Sequence, residues 1–330
     1  MQEHKSGFAA ATVAHLGGAL CANPASMQET MEQLLARAEV FFAAYAKMGV
    51  SVMNVGVHEL SIGVEPLRKV AAKHHVALVS ASLIRTGAAA GKPALPAAVV
   101  RKVGGLQIGF VGLLTPLPPG KEELILRAGL DVDEPIAAAR RGVAEAKAKG
   151  AQLIVVLSQL KRPEIERVAE AVPEVHLVLG SEAADLTMAL ERVDHAAFAD
   201  TISKGKYAGI VRLTKGKDPT RWDVAALRPS LLAQRESLQS QVGSMASSLR
   251  PDAGRVLNEQ TRNVLTQELE RLRGKLASVD KQLEALPAPS PDSGLMELEM
   301  GAIDKTLLAE PKVGALVEAQ KERFPQVAGH

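Results

Sequence analysis

One cysteine, Cys21, stands in the whole chain of 330 residues. A single thiol excludes an intramolecular disulfide and any cysteine-rich zinc site, and no CxxCH occurs to attach a c-type haem. Aromatic side chains are almost as scarce, at 3%, so any core must be built from Ala, Val, Leu and Ile. Neither sign of charge dominates, with 39 Lys and Arg against 37 Asp and Glu for a net +2. Without basic runs or aromatics interleaved with them, nucleic-acid binding has no electrostatic footprint. Long apolar runs are missing too. Leu106 to Leu114 and Leu153 to Leu157 are strand-length, well short of the roughly 20 residues a bilayer span needs. No GxxxxGK or GxGxxG context surrounds Gly17-Gly18 or Gly104-Gly105, which read as turn glycines. The opening residues Met1 to Gly7 lack the apolar stretch of a secretory signal. The expectation is a cytoplasmic protein, or one whose leader lies outside this sequence.

What the chain does have is a hydrophobic fraction of 47%, enough for one large α/β domain with an appendage. Short apolar runs alternate with helical periodicity. Strands are expected at 9–13, 52–55, 76–80, 153–157 and 175–179, with helices at 26–48, 64–74, 135–149 and 164–171. Ser26 is the expected N-cap of the first helix. The segments 97–103 and 106–114 predict a hairpin turning at Gly104-Gly105. Ala196–Ala199, Tyr207–Leu213 and Trp222–Leu227 then read as strands without helices between them. That order predicts a layered α/β domain with two packed sheets.

Beyond it the pattern changes. Leu231, Leu238, Val242, Met245 and Leu249 recur at heptad-like spacing, and so do Leu265, Leu269, Leu272, Leu276, Val279 and Leu283. Steps of three and four residues put each set on one seam. A Pro/Gly turn at 251–254 would close them into an antiparallel helical hairpin. A Pro-rich linker follows from Leu286, then a short apolar stretch at 295–308 and a last helix at 313–323.

Single residues carry less. Cys21 sits in a turn-rich loop and reads as a small apolar filler. His74-His75 at a helix end are expected to interact with the terminal carbonyls, and Trp222 to pack between strand and arm.

Three stretches carry a family resemblance. "MGVSVMNVGVHELSIGVEPLRKVA" (48–71), "VRKVGGLQIGFVGLLTP" (100–116) and "GAQLIVVLSQLKRPEIERVAEAVPEVHLVLGSE" (150–182) are similar, in order and framing, to segments of calcineurin-type metallophosphoesterases of the 5′-nucleotidase kind. The resemblance covers roughly residues 12–227. It implies a two-sheet metallophosphoesterase-like α/β sandwich flanked by helices, to which the helical hairpin is an addition. The implied divisions are 1–227 for the domain, with or without the family's first strand, 228–286 for the hairpin and 287–330 for linker and tail.

The family holds two divalent metals at its strand ends. Two cations about 4 Å apart polarise the phosphoryl group and supply hydroxide, and they need several converging carboxylate, imidazole and carbonyl ligands. Position by position, this chain departs from that pattern. Where the family reads Gly-Asn-His-Glu, Gly56-Val57-His58-Glu59 stands here, so an isopropyl group replaces a ligating amide. His58 resembles the family's transition-state-stabilising histidine. Leu-Ser-His has become Leu157-Ser158-Gln159, and Gly-His-x-His has become Gly180-Ser181-Glu182-Ala183. The opening Asp-x-His has no counterpart, and the bridging Gly-Asp should fall near Ala14 to Gly17, where no carboxylate stands.

The resemblance therefore implies a degenerate, catalytically inactive binding or scaffold module that needs no cofactor. His58 is its one catalytic-type residue. Val57, Glu59, Ser158, Gln159, Ser181 and Glu182 are candidates for the cleft, with Asp185 as a candidate partner of His58. The competing expectation is an active phosphoesterase on nucleotides or phosphate monoesters, using a reduced metal set around His58, Glu59 and Glu182. A protein partner engaged through 228–286 is the other expectation. In bacteria, relatives with degenerate domains are exported beside redox or haem modules, which implies a periplasmic or exported setting. A third expectation is that this is the C-terminal part of a longer protein.

Overall fold

The apolar runs at 106–114 and 153–159 are adjacent central strands in the computed structural model, which describes residues 9–20, 30–116, 123–182, 187–201, 207–224, 227–249, 258–286, 290–303 and 310–324. The chain divides into two compact units, Met1–Arg212 with Leu298–His330, and Leu213–Glu297.

The first unit is a layered α/β structure. One sheet holds β1 (Val13–His15), β2 (Val50–Asn54) and β3 (Ala77–Val79), parallel in that order. A small antiparallel pair joins β4 (Leu83–Arg85) to β7 (Leu130–Val132). The main sheet contains β5 (Ala98–Val103), β6 (Leu106–Leu114), β8 (Leu153–Gln159), β9 (Leu177–Gly180), β10 (Glu191–Val193) and β11 (Ala196–Asp200), in the order β10-β11-β9-β8-β6-β5. Its four inner strands are parallel and its two edges antiparallel. All seven residues of β8 are buried, as expected of a strand covered on both faces. The strand β12 (Tyr207–Thr214) follows.

Helices cover these sheets because their apolar residues recur every three or four positions. In α1 (Met31–Met48), Leu34, Ala38, Phe42 and Tyr45 form the buried face, and Gly49 ends the helix at φ 76°. Its N-cap is Thr30, which exchanges hydrogen bonds with Gln33 in a capping box; Ser26, the expected cap, lies outside the described residues. In α2 (Val64–Lys73) the buried residues are Val64, Leu67, Val70 and Ala71. These faces, with α3 (Glu123–Arg127), enclose one core against β1–β3. A second core lies between the main sheet and α4 (Pro135–Ala148) and α5 (Arg162–Ala171). Gly142 lets α4 approach closely, since a Cβ there would meet Val111 Cγ1 at 2.4 Å.

Local differences from the sequence reading have physical causes. The first strand is expected at 9–13, yet β1 occupies 13–15, because pairing with Val50–Met53 sets its register and leaves Ala9–Ala11 exposed. His74 does more than cap α2, as its Nε2 lies 2.8 Å from Glu39 Oε2 on α1. The strand expected at 222–227 is β13 (Asp218–Val224), and by Leu227 a helix has begun.

The second unit contains β13 and the beginning of β14 (Ser293–Ala302), paired in parallel from Trp222–Gly294 to Val224–Met296. Trp222 packs on Gly294, where a Cβ would lie 2.6 Å from the indole ring. The same unit holds α6 (Leu227–Ser248) and α7 (Glu259–Ala285). Leu231, Leu238, Leu272 and Val279 are buried along the seam between them, flanked by Val242, Met245, Leu276 and Leu283. The turn expected at 251–254 lies outside the described residues. In the first unit, α8 (Pro311–Arg323) packs on α1, and Arg323 pairs with Glu32 at 2.7 Å. No helix among the described residues is long and apolar enough to cross a membrane.

Candidate functional site

Strands β2 and β8 belong to different sheets, and the side chain that joins them is Asn54, the last residue of β2. Its Nδ2 donates to the carbonyl of Leu113 on β6 at 3.1 Å and of Leu157 on β8 at 3.0 Å. The residue is fully buried, and its Oδ1 has no hydrogen-bond partner among the described residues. This bridge brings the C-terminal ends of β2 and β8 together, which is where open α/β sheets place their ligands.

The segment after β2 turns through Gly56 and Val57 into a short 3-10 helix, His58–Ile62. That turn carries Glu59 into the interior, with 0% of its surface exposed. Its Oε2 accepts from Gly18 N at 3.0 Å and Gly56 N at 2.9 Å. Its Oε1 accepts from Ala19 N at 2.8 Å and Leu20 N at 3.4 Å. Gly17 and Gly18, at φ 90° and 77°, turn these successive N–H groups toward the carboxylate, an anion-binding concavity made by backbone. Here its anion is the chain's own side chain.

Gln159, at the end of β8, points into the same place and is 8% exposed. Its Nε2 donates to Leu16 O at 3.0 Å. A Cβ on Gly17 would lie 2.3 Å from that nitrogen, and one on Gly56 would lie 2.2 Å from Gln159 Oε1. The same Cβ on Gly17 would also meet Asn54 O at 2.7 Å, so only hydrogen fits there, whereas a side chain at Gly56 would have to displace the end of Gln159. Ser158 is fully buried, its Oγ accepting from Leu160 N at 3.1 Å.

His15 completes the group from β1. The Gly17 N–H donates to its Nδ1 at 2.9 Å, so the ring proton sits on Nε2 and faces Tyr45 Oη at 3.1 Å. Burial holds the imidazole below its ordinary value of 6.5, with the Glu59 charge opposing. Burial, then Glu59, pushes the Tyr45 phenol up.

The remaining candidates form a more open rim. Val57, His58 and Ser181 are half-buried, and Glu182 is exposed. Desolvation, then the nearby Asp200, raises the Glu182 carboxyl, and His58 opposes them. Asp200 ends β11, fully buried against Gly180, and its N–H is accepted by Thr187 Oγ1 at 2.8 Å. Asp185 and Ala183 lie outside the described residues, as does Cys21.

Two groups thus emerge from one set of candidates. Glu59, Gln159 and Ser158 are interior, and His58, Val57, Ser181 and Glu182 line the rim. Asn54, Asp200 and His15 are not among the site residues the sequence points to. Asn54, two residues before Gly56, had a positional signal; the other two are joined to the site only by the chain's return. Among the described residues, no three His, Cys, Asp or Glu side chains are grouped so as to hold a metal ion.

No family model and no curated protein matches the chain. Among solved structures it is similar to the sulfate thiohydrolase SoxB of Thermus thermophilus in complex with glycerol, at a TM-score of 0.50 and 22% identity over 61% of this chain and 35% of that one. That likeness shows the fold. A 5′-nucleotidase precursor, also from Thermus thermophilus, aligns at a TM-score of 0.48 and 22% identity, over 63% of this chain and 42% of that one. The calcineurin-like phosphoesterase YfkN of Bacillus subtilis aligns at 0.48 and 14%, over 64% and 73%. The chain spans well under half the length of the first two.

Proposed function

We propose that this chain is a distant, degenerate member of the calcineurin-type metallophosphoesterases of the 5′-nucleotidase kind, and that it serves as a binding or scaffold module without hydrolysing phosphate esters. The observation that carries this reading is the contact of Gly56 with Gln159. The strand ends whose sequences resemble Gly-Asn-His-Glu and Leu-Ser-His meet, as the two-metal chemistry of that family would require. The Gln159 amide stands at the meeting point, and the Val57 isopropyl group, where the family pattern has Asn, packs against the apolar core. A binuclear centre needs several anionic and imidazole ligands, and neither group supplies one. A module of this kind acts through a partner, and the hairpin 228–286 is the surface this reading assigns to it.

One observation favours the competing reading of an active phosphoesterase acting on nucleotides or phosphate monoesters. The Glu182 carboxyl is raised by burial and then by the nearby Asp200, with His58 opposing, and a perturbed carboxyl beside such groups is a common property of catalytic clusters. Assays with a nucleoside 5′-monophosphate and an aryl phosphate, in manganese, zinc or magnesium, separate the two. We expect no turnover above that of the His58→Ala variant. Hydrolysis that disappears on His58→Ala would establish the enzyme and end the scaffold reading.

A further inference from the structure

We infer that the cleft between β2 and β8 is closed from within, by a clamp of the chain's own side chains centred on Glu59. The inference rests on the degenerate-phosphoesterase reading and goes beyond it, since it says what holds these strand ends and the Leu16–Leu20 loop together.

The accounting is one of lone pairs. An ionised carboxylate offers about four acceptor sites. Glu59 has four backbone donors, two on each oxygen, from Gly18, Ala19, Leu20 and Gly56. None is left to ligate a cation, and the ring of N–H dipoles around it repels one. His15 offers no lone pair either, because Nδ1 is taken by the Gly17 N–H and Nε2 carries the proton facing Tyr45. The Gln159 amide fills the space framed by Gly17 and Gly56 and holds Leu16 O. Among the described residues of this group, the buried side-chain oxygen left without a hydrogen-bond partner is Oδ1 of Asn54. A single amide oxygen is far from the set of ligands a divalent site requires.

The residues present therefore do not fit a metal. They fit its tethering role. A metal cross-links segments by drawing several ligands to one point, and Glu59 does the same with its charge reversed, drawing four N–H groups from two segments. Each bond is made to a carboxylate with none of its surface exposed, where charge-assisted bonds are strong. Every backbone N–H from Gly17 to Leu20 ends on a side chain of this group. Together with the Gln159 bond to Leu16 O, these bonds tie the loop to the strand ends without a metal.

Amide hydrogen exchange on the full chain tests this directly. In metal-free protein, the amides of Gly18, Ala19, Leu20 and Gly56 should be protected, with no change on adding manganese or zinc. Glu59→Gln replaces one acceptor oxygen with an NH2 group facing two N–H donors. It should speed exchange at these four positions by at least about tenfold. Elemental analysis after metal soaking and desalting should find sub-stoichiometric metal. The inference is overturned if the four amides exchange freely without metal and become protected with it, or if near-stoichiometric metal is retained. The wild-type comparison decides the matter even where Glu59→Gln does not fold. Retained metal without hydrolysis would overturn the clamp alone, while hydrolysis would overturn the functional reading.

Discussion

The Oε1 atom of Gln159 stands 2.2 Å from where a Cβ on Gly56 would sit, so two residues more than a hundred positions apart share one packing constraint. Gly56→Ala should destabilise the protein by about 1–3 kcal/mol through overpacking. Shortening the neighbour to Gln159→Ser should relieve much of that cost, because contacting residues couple where distant ones add. Urea denaturation of the four proteins in the cycle measures the coupling. Additive effects would mean that the Gln159 amide does not press on Gly56.

Asn54 ties the first sheet to the second with two bonds from one amide. Asn54→Ala should cost about 1–3 kcal/mol by stranding two buried carbonyls. Asn54→Asp should be worse, since a carboxylate would then face the carbonyl oxygens of Leu113 and Leu157. Equal stability of the Ala and Asp variants would show that the bridge is not what joins the sheets.

His15 gives the site a pH dependence whose direction follows from burial. Its folded value lies below the ordinary 6.5, so the unfolded chain takes up the proton first. Its contribution to stability is complete above about pH 6.5 and is lost as the pH falls toward the folded value. Protonation also puts a hydrogen on Nδ1, which the Gly17 N–H already occupies. Wild type should therefore lose more stability between about pH 7.5 and 5 than His15→Gln, as measured by denaturation at each pH. A parallel decline would remove His15 from the account.

The hairpin is held by a cluster built on Leu231, Leu238, Leu272 and Val279 with their half-buried neighbours. Leu272→Ala should cost about 2–4 kcal/mol, the usual range for a large-to-small change in a packed seam. Amide exchange along α6 and α7 would report it. Unchanged exchange would place the stabilising contacts elsewhere.

Much of the layered fold is legible in the order of residues alone. The β5–β6 hairpin at Gly104-Gly105, the buried strand β8 and the leucine seam of α6 and α7 all follow from local periodicity, which a short window of sequence carries. The strands β4, β7, β10 and β14 are not legible in that way. Of these, β10 is only three residues long and pairs with its neighbour β11, while β4, β7 and β14 are each part of a sheet because a distant segment pairs with them, as Ser293–Met296 does with β13. The first strand moves from 9–13 to 13–15 for the same reason.

At the site the division is sharper. Composition and motif alone place Val57, Gln159, Ser181 and Ala183 at the positions where the family pattern has Asn and His, because the lack of an imidazole or a carboxylate is a property of the residue type. They placed Glu59 among the cleft residues as well, and there the tertiary structure decided otherwise. A carboxylate can face a cleft or turn inward, and which of these has the lower free energy depends on the donors that meet it. The donors from Gly18, Ala19 and Leu20 come from about 40 residues away in sequence. They offset the cost of burying the charge, and no local pattern could announce them.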